Sequence, residues 1–280
     1  SGTPLLPTSD SGNYDNSDSL VGYWRNDSNT TWTDRANTGV ASFDGTDDRI
    51  SISDSSSLDI TGDLTLSIWA KNTSSSISSD QFLFAKYLVT GNQRSYNLYF
   101  NSDGKIQQDI CSDGTSSNIG GQRTDSAISN TNQWHHYVSV YDSSAQTIKI
   151  YDNGSEISSS AYATVPSSIH SGTSSLDIGR FNTGSMYWNG QISSANVFNT
   201  ALTATEVSEL YAIDKRSSIS GHSQFSNCVG SWLMGAGTGD TTSTIQDQST
   251  ANNDGTISGV DLIGYNDGTA SGSPVSILIP

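Results

Sequence analysis

The chain has 280 residues, of which only 33% are hydrophobic, and its formal net charge is −16 at pH 7. The 12 basic residues against 28 acidic ones disfavour nucleic acid and anionic membrane surfaces as partners, because clustered basic side chains hold both. No apolar run reaches the length of a membrane span, so no membrane insertion is expected. The two cysteines, Cys111 and Cys228, leave open either one disulfide or two buried thiols.

The order of short apolar stretches predicts a protein made mainly of strands. Residues 1–18 are polar and rich in turn formers, which indicates an N-terminal arm. The clearest strand pattern lies in residues 63–71, where alternate apolar side chains share one face. Further strands are predicted over residues 20–24, 49–53, 81–87, 96–101, 105–111, 134–142, 147–152, 175–180 and 191–198.

Two local signals add a turn and a helix. Asn153-Gly154 lies between two short apolar stretches and predicts a two-residue hairpin, since both central positions of a type I′ turn need positive φ. Thr203 and Glu206 have the spacing of a capping box and predict one short helix. Many evenly spaced strands with a single helix predict an all-β sandwich or barrel, not an α/β fold.

Two short segments of the sequence are similar to each other. Residues 19–24 (Ser-Leu-Val-Gly-Tyr-Trp) are similar to residues 227–232 (Asn-Cys-Val-Gly-Ser-Trp), and a polar, turn-rich loop follows each of them. We therefore interpret residues 213–280 as a partial second repeat, smaller and β-rich, that stops short of a full domain. A partial sandwich leaves unpaired strand edges, so this segment is expected to pack against a neighbouring subunit or against the first sandwich.

Seven motifs in one order resemble the laminin G-like, concanavalin A-like lectin/glucanase jelly-roll domains. They lie at residues 43–50, 66–71, 134–138, 150–154, 176–180, 188–192 and 201–211. The resemblance extends over residues 19–212, about two-thirds of the chain. It implies a jelly-roll β-sandwich of two antiparallel sheets with one short C-terminal helix.

The sequence segments that flank these motifs are similar to tandem arrays of such domains in virion proteins of marine bacteriophages. That resemblance implies a structural protein of the virion surface, as a capsid decoration, tail or fibre component. Its partners would be other subunits of the surface array, as a homo-oligomer, and host-cell glycans. The alternative is a secreted cellular carbohydrate-binding module or adhesin repeat, so the expected location is the virion surface or the extracellular space.

A glycoside hydrolase is the least supported function, and we expect no enzymatic activity. A hydrolase of this fold would need two carboxylates close together on one strand. The three glutamates do not provide them, because Glu156 follows a turn and Glu206 and Glu209 lie on the predicted helix. His135 and His136 are neighbours in a strand, so they face opposite sides and cannot act together on one substrate.

The acidic residues Asp44, Asp47 and Asp48 form the best candidate metal site. Calcium takes several oxygen ligands, so this cluster predicts a calcium ion at the rim of the sandwich. The alternative interpretation is that these side chains form Asx turns where a strand starts. Asp109 and Asp113 are a second, weaker calcium candidate.

Aromatic residues in polar or glycine-rich surroundings are the candidate glycan-binding residues. An aromatic ring can stack on the apolar face of a sugar while nearby amides and carboxylates bind the hydroxyls. On this basis the sequence nominates Trp32, Tyr87, Tyr187 and Trp188. Trp69 and Trp134 lie in predicted strands and are instead expected to take part in packing.

Overall fold

A computed structural model of the protein describes residues 39–263, except residues 75, 130–131 and 182–185. The predicted arm over residues 1–18, the predicted strand over residues 20–24 and Trp32 lie outside these described residues.

The described residues form strands and one α-helix, as the sequence pattern predicts. The helix, α1, is Ala204–Ala212. The strands are, in chain order, β1 Val40–Asp44, β2 Arg49–Ile52, β3 Leu64–Asn72, β4 Gln81–Leu88, β5 Gln93–Phe100, β6 Ile106–Cys111, β7 Ile119–Thr124, β8 His135–Asp142, β9 Thr147–Asp152, β10 Ser155–Ile157, β11 Ser159–Ala163, β12 Leu176–Ile178, β13 Asn189–Phe198, β14 Cys228–Leu233, β15 Thr244–Ile245, β16 Gly255–Ser258 and β17 Asp261–Ile263.

These strands build two antiparallel sheets that pack face to face, which confirms the jelly-roll sandwich. The eight-stranded sheet has the spatial order β10-β9-β8-β3-β13-β1-β17, with β14 also paired to β13. The nine-stranded sheet has the order β11-β7-β6-β5-β4-β12-β2-β16-β15. Every strand pair among the described residues is antiparallel, so short turns and loops suffice to connect most neighbours.

The core lies between the two sheets and follows from alternation along each strand. Leu64, Leu66, Ile68 and Ala70 of β3 point inward and are fully buried, while Trp69 points to the outer face. The same period-2 pattern in the facing sheet buries the apolar residues of β5. Burial of this apolar surface, at roughly 25 cal/mol per Å², is the main stabilising term for the sandwich.

The helix and the hairpin form as predicted. Thr203 caps α1 with its side chain, and Glu206 completes the capping box by accepting from the Thr203 backbone N–H. Val207 and Leu210 face the outer side of the eight-stranded sheet and bury apolar residues there. Asn153 and Gly154 have φ values of 52° and 77° between β9 and β10, as a type I′ turn requires.

The segment predicted as a partial second repeat after residue 212 pairs with strands of the first sandwich. Strand β14 pairs with β13, β16 pairs with β2, and β17 pairs with β1, so the C-terminal segment adds strands to both sheets of the same sandwich. The segment predicted as a partial second repeat therefore completes the first unit over its described residues. The physical reason is the open edges of β13 and β2, whose backbone groups find their hydrogen-bond partners in this segment.

Both cysteines, Cys111 and Cys228, are buried free thiols, which decides between the two alternatives that the sequence left open. No helix in the described part of the chain is long and apolar enough to cross a membrane.

Candidate functional site

The candidate site lies on the outer face of the nine-stranded sheet, around β6. Alternation in β6 directs Ile106 and Ile110 into the core, so Gln107 and Asp109 point outward. The register places Asn97 of β5 opposite Asp109. With Arg123 on β7 and Tyr162 on β11, these outward side chains form a cluster that we name the Asp109 patch, consisting of Asn97, Gln107, Asp109, Arg123 and Tyr162.

Hydrogen bonds fix the carboxylate at the centre of the Asp109 patch. Its Oδ1 accepts from the Tyr162 hydroxyl at 2.5 Å and from Gln107 Nε2 at 2.8 Å. Its Oδ2 accepts from Asn97 Nδ2 at 3.1 Å. These three donors hold the carboxylate in one orientation. Asp109 remains 8% exposed, so the carboxylate lies at the surface of the sheet.

Tyr162 forms the exposed wall of the Asp109 patch. Its side chain is 38% exposed, and the guanidinium carbon of Arg123 lies 5.9 Å from its ring centroid. Burial of the hydroxyl end and the charge of Asp109 raise the pKa of Tyr162 well above its usual range. The phenol therefore stays protonated and donates to Asp109, while part of the ring faces solvent.

An aromatic cluster adjoins the Asp109 patch on the same face. The rings of Phe82 and Tyr99 stack at 4.4 Å, and Phe181 lies 4.7 Å from Phe82 and 5.4 Å from Tyr87. The segment that carries Phe181 is anchored by its neighbour Arg180, whose Nη2 lies 2.5 Å from the carboxylate of buried Asp177. Phe82, Tyr87 and Tyr99 are buried, so of these rings the partly exposed Phe181 is the one that adds aromatic surface beside the fixed polar groups.

The nominated glycan-binding residues lie in different environments. Tyr87 belongs to the aromatic cluster but is only 6% exposed, so it supports Phe181 and offers no open ring face. Trp188, predicted as a sugar platform, is fully buried in the core, 5.7 Å from Phe100, and presents no ring face at the surface. Its glycine-rich surroundings reflect close backbone packing at Gly190, where a Cβ would lie 2.2 Å from the Lys71 carbonyl oxygen. Tyr187 is partly exposed and pairs with Arg180 through a backbone bridge.

Of the polar residues in the Asp109 patch, the sequence points only to Asp109, and there as a calcium ligand. Asp109 was grouped with Asp113, but Asp113 instead accepts hydrogen bonds from Thr115 and Asn118 in the loop after β6. The useful signal was alternation in β6, which carries an acidic residue on its outward face. The partner Tyr162 could not be identified in this way, because its strand β11 is short and polar and has no apolar face.

The acidic residues Asp44, Asp47 and Asp48 do come together. Their carboxylate oxygens lie within 4.8 Å of one another. Asp44 Oδ1 accepts from the Thr46 backbone N–H and Asp48 Oδ2 accepts from the Asp44 backbone N–H, which is the turn geometry expected at the start of β2. Burial and the charges of Asp44, Asp47 and Asp261 raise the pKa of Asp48. The hydrogen bond from the Asp44 backbone opposes this shift only in part. The side chain of Asp47 projects into solvent beside them.

The two adjacent histidines face opposite sides of β8, as predicted. His136 Nε2 lies 2.9 Å from the Ser67 hydroxyl on the outer face, and its ring stacks on Trp69. His135 Nδ1 lies 2.8 Å from Asp152. Burial lowers the pKa of His136 to about 3, so its ring is neutral at physiological pH. His136 is therefore a packed framework residue.

Comparison with known proteins identifies the class of this sandwich. The chain belongs to the concanavalin A-like lectin/glucanases superfamily, whose family model matches residues 44–208. No curated protein matches the chain significantly.

Solved structures are similar to this chain at low sequence identity. A candidate carbohydrate binding protein from Bacteroides ovatus is 16% identical with a TM-score of 0.57; the match covers 80% of this chain and 59% of that protein. A heptameric SAP-like pentraxin from Limulus polyphemus is 20% identical with a TM-score of 0.46, over 62% of this chain and 82% of the other. The fourth domain of AbnA, an arabinanase from Geobacillus stearothermophilus, is 21% identical with a TM-score of 0.46, over 61% and 76% of the two chains.

Proposed function

We propose that this protein is a non-catalytic carbohydrate-binding domain and that the Asp109 patch holds the sugar. The observation that carries the proposal is the fixed Asp109 carboxylate, which three donors orient beside the partly exposed ring of Tyr162. A carboxylate held in this way accepts hydrogen bonds from sugar hydroxyls with little loss of side-chain entropy. The Tyr162 ring offers a face for the apolar side of the sugar.

The same geometry supports binding over hydrolysis. Glycoside hydrolysis needs a second carboxyl group about 5 to 9 Å from the first. The hydrogen-bond partners of Asp109 are two amides and a phenol, and none of the three is a second carboxyl group.

Glycan binding is tested with the full-length protein on an array of immobilised glycans, followed by calorimetric titration of the best neutral oligosaccharide. Asp109→Asn and Tyr162→Phe should each weaken binding roughly tenfold or more, because a hydrogen bond to a charged group contributes about 1.5 to 3 kcal/mol. Tyr211→Phe is the matched control, since Tyr211 is 40% exposed on the other sheet and its hydroxyl does not contact Asp109. All three variants should keep the melting temperature within a few degrees.

Two outcomes would contradict the proposal. One is equal affinity of Tyr162→Phe and Tyr211→Phe for every glycan bound by the wild type, or no glycan bound at all. The other is release of reducing sugar from a polysaccharide by the wild type but not by Asp109→Asn, which would make the protein a hydrolase.

We propose further that the domain acts as one unit of a virion-surface array, the setting implied by the resemblance to tandem bacteriophage domains. Self-association into a homo-oligomer is then expected at micromolar concentration. Light scattering coupled to gel filtration measures it, and a monomer at all concentrations would favour the alternative, a secreted carbohydrate-binding module or adhesin repeat.

We also propose calcium at the rim cluster of Asp44, Asp47 and Asp48. Three carboxylates within 4.8 Å provide the oxygen donors that calcium takes, and their mutual repulsion is the reason that a cation would be stabilising there. Asp47 contributes a carboxylate that accepts no hydrogen bond from the described residues, so it is free to coordinate.

A further inference from the structure

A second surface combines aromatic and basic residues on the opposite side of the sandwich. Helix α1 covers only part of the outer face of the eight-stranded sheet. Beyond it, Trp69 and Lys71 of β3 point outward, and Trp134 lies beside them just before β8. Lys215 follows α1 and reaches over the same area. We name Trp69, Lys71, Trp134 and Lys215 the Trp134 patch.

The two lysines of the Trp134 patch converge on one ring. The Lys71 and Lys215 ammonium groups lie 5.8 and 5.6 Å from the centroid of Trp134. Lys215 also lies 5.8 Å from the centroid of Trp69. Cation–π attraction at these distances holds both ammonium groups near the indoles, so two positive charges are concentrated in a small area.

These cations have no carboxylate counterion among the described residues. Lys86 and Lys149 each lie within 4 Å of an acidic side chain, whereas Lys71 and Lys215 do not. Lys215 does lower the pKa of the nearby Asp214, but the Asp214 carboxylate accepts its hydrogen bonds from the Arg216 backbone and side chain. In a chain of net charge −16, two ammonium groups that lie over one indole and form no ion pair with the described residues are a local concentration of positive charge.

The patch is supported from beneath and from the side. Trp69 stacks on His136 at 5.1 Å and on Tyr211 at 5.6 Å, which fixes its ring. The Lys215 carbonyl accepts a hydrogen bond from the Ser193 hydroxyl of β13, which fixes the backbone from which its side chain extends. A ligand would therefore meet a surface that is ordered before binding.

We propose that the Trp134 patch is a second binding site, which takes a sugar residue bearing a carboxylate or sulfate group. The anionic group lies between the two ammonium groups, and the apolar edge of the sugar contacts the indoles. The site is distinct from the Asp109 patch, because the two lie on the outer faces of different sheets. One domain then contacts a polysaccharide at two points. Because the second contact forms within an existing complex, the avidity exceeds the affinity of either site alone.

The test uses the full-length protein, with binding followed by tryptophan fluorescence and calorimetry. The probes are an oligogalacturonate, a dextran sulfate oligosaccharide and a neutral malto-oligosaccharide of equal length. The key variant is Lys71→Gln with Lys215→Gln. Its matched control is Lys105→Gln with Lys149→Gln, which changes the net charge equally at residues that lie over neither indole.

The wild type and the control double variant should bind at least one anionic probe and should bind the neutral probe weakly. The Lys71/Lys215 variant should lose roughly tenfold or more in affinity, and the wild-type affinity should fall with added salt. Binding of one anionic probe only identifies the group as carboxylate or sulfate.

Equal affinity of the two double variants would overturn the inference, as would a wild type that binds neither anionic probe. Binding of an anionic probe that is lost in Tyr162→Phe but kept in the Lys71/Lys215 variant would also overturn it, and would assign that ligand to the Asp109 patch. If the wild type binds an anionic probe but no neutral glycan, the result counts against the Asp109 patch and not against the Trp134 patch.

Discussion

The indole of Trp232 lies directly over Gly230, two residues earlier on the same face of β14. A Cβ at position 230 would be 2.3 Å from the ring. Trp232 is fully buried, and its indole N–H donates to the Asn253 carbonyl at 2.8 Å. The glycine is therefore what allows the largest side chain of the C-terminal segment to enter the core.

Gly230→Ala should destabilise the protein by about 2 to 3 kcal/mol, because the added methyl group forces the indole from its position in a packed core. Urea unfolding followed by tryptophan fluorescence measures the loss. Gly221→Ala is the control, since a Cβ there meets no atom within 4 Å, and it should change stability by less than about 0.5 kcal/mol. Equal effects of the two substitutions would mean that the packing of the Trp232 indole does not depend on Gly230.

The Gly-x-Trp spacing was visible in the sequence, but its structural meaning was not. The similarity of residues 227–232 to residues 19–24 led to the prediction of a β-rich segment, and the structure has β14 there at Cys228–Leu233. That similarity could not show that this strand would pair with β13 of the same unit, because strand order depends on contacts between residues far apart in the chain.

Lys86 should prove important for stability although its charge is buried. Its ammonium group lies 2.5 Å from Asp54 and 3.2 Å from Asp59, and it donates to the Ser174 carbonyl at 2.8 Å. Lys86→Met leaves two partly buried carboxylates without their counterion, and should cost about 3 kcal/mol in urea unfolding.

The control for Lys86 is Lys149→Met. Lys149 pairs with Glu156 at 3.4 Å in an exposed position, and its loss should cost less than about 1 kcal/mol. The difference between the two variants should persist at high salt, because a buried pair is screened little. A small effect of Lys86→Met would indicate that solvent already satisfies Asp54 and Asp59.

His136 should make the protein less stable in mild acid. Burial lowers its pKa from 6.5 to about 3, so the folded protein keeps the ring neutral while the unfolded chain takes up a proton below pH 6.5. The stabilisation is complete above pH 6.5 and is lost as the pH falls toward 3, by about 1.4 kcal/mol per pH unit.

Comparison with His136→Phe isolates this contribution, since Phe keeps the stacking on Trp69 but does not titrate. The variant should show a shallower fall in melting temperature between pH 7 and pH 4 than the wild type. Parallel pH curves for His136→Phe and the wild type would contradict the assignment.

Calcium should raise the melting temperature if the rim cluster binds it. Millimolar calcium relative to a chelator should shift the transition by roughly 5 °C, because a ligand at 100 times its Kd stabilises by about 2.7 kcal/mol. Asp47→Asn should abolish the shift, and Asp103→Asn, an exposed aspartate outside the cluster, should preserve it. The absence of any calcium-dependent shift in the wild type would leave the cluster with the turn role alone.

Local chemistry explains which elements could be predicted. The alternation of Leu64, Leu66, Ile68 and Ala70, the Asn153-Gly154 turn and the Thr203 capping box each encode their structure within a few residues. Strands β1, β7 and β11 were missed because their sequences are polar or lack alternation, and pairing with neighbours creates them. The Asp109 patch could not be predicted for the same reason, since its five members come from four different strands.

Strand β17 lies antiparallel to β1, with Ile263 directly opposite Val40. A short turn could therefore join these two residues as a hairpin, and the backbone could instead be opened between Ala212 and Cys228, a segment without a β-strand, without breaking a strand pair. Joined in this way, the described strands form one closed chain. A circularly permuted protein that starts near β14 should fold to the same two sheets, with β17 and β1 as a local hairpin.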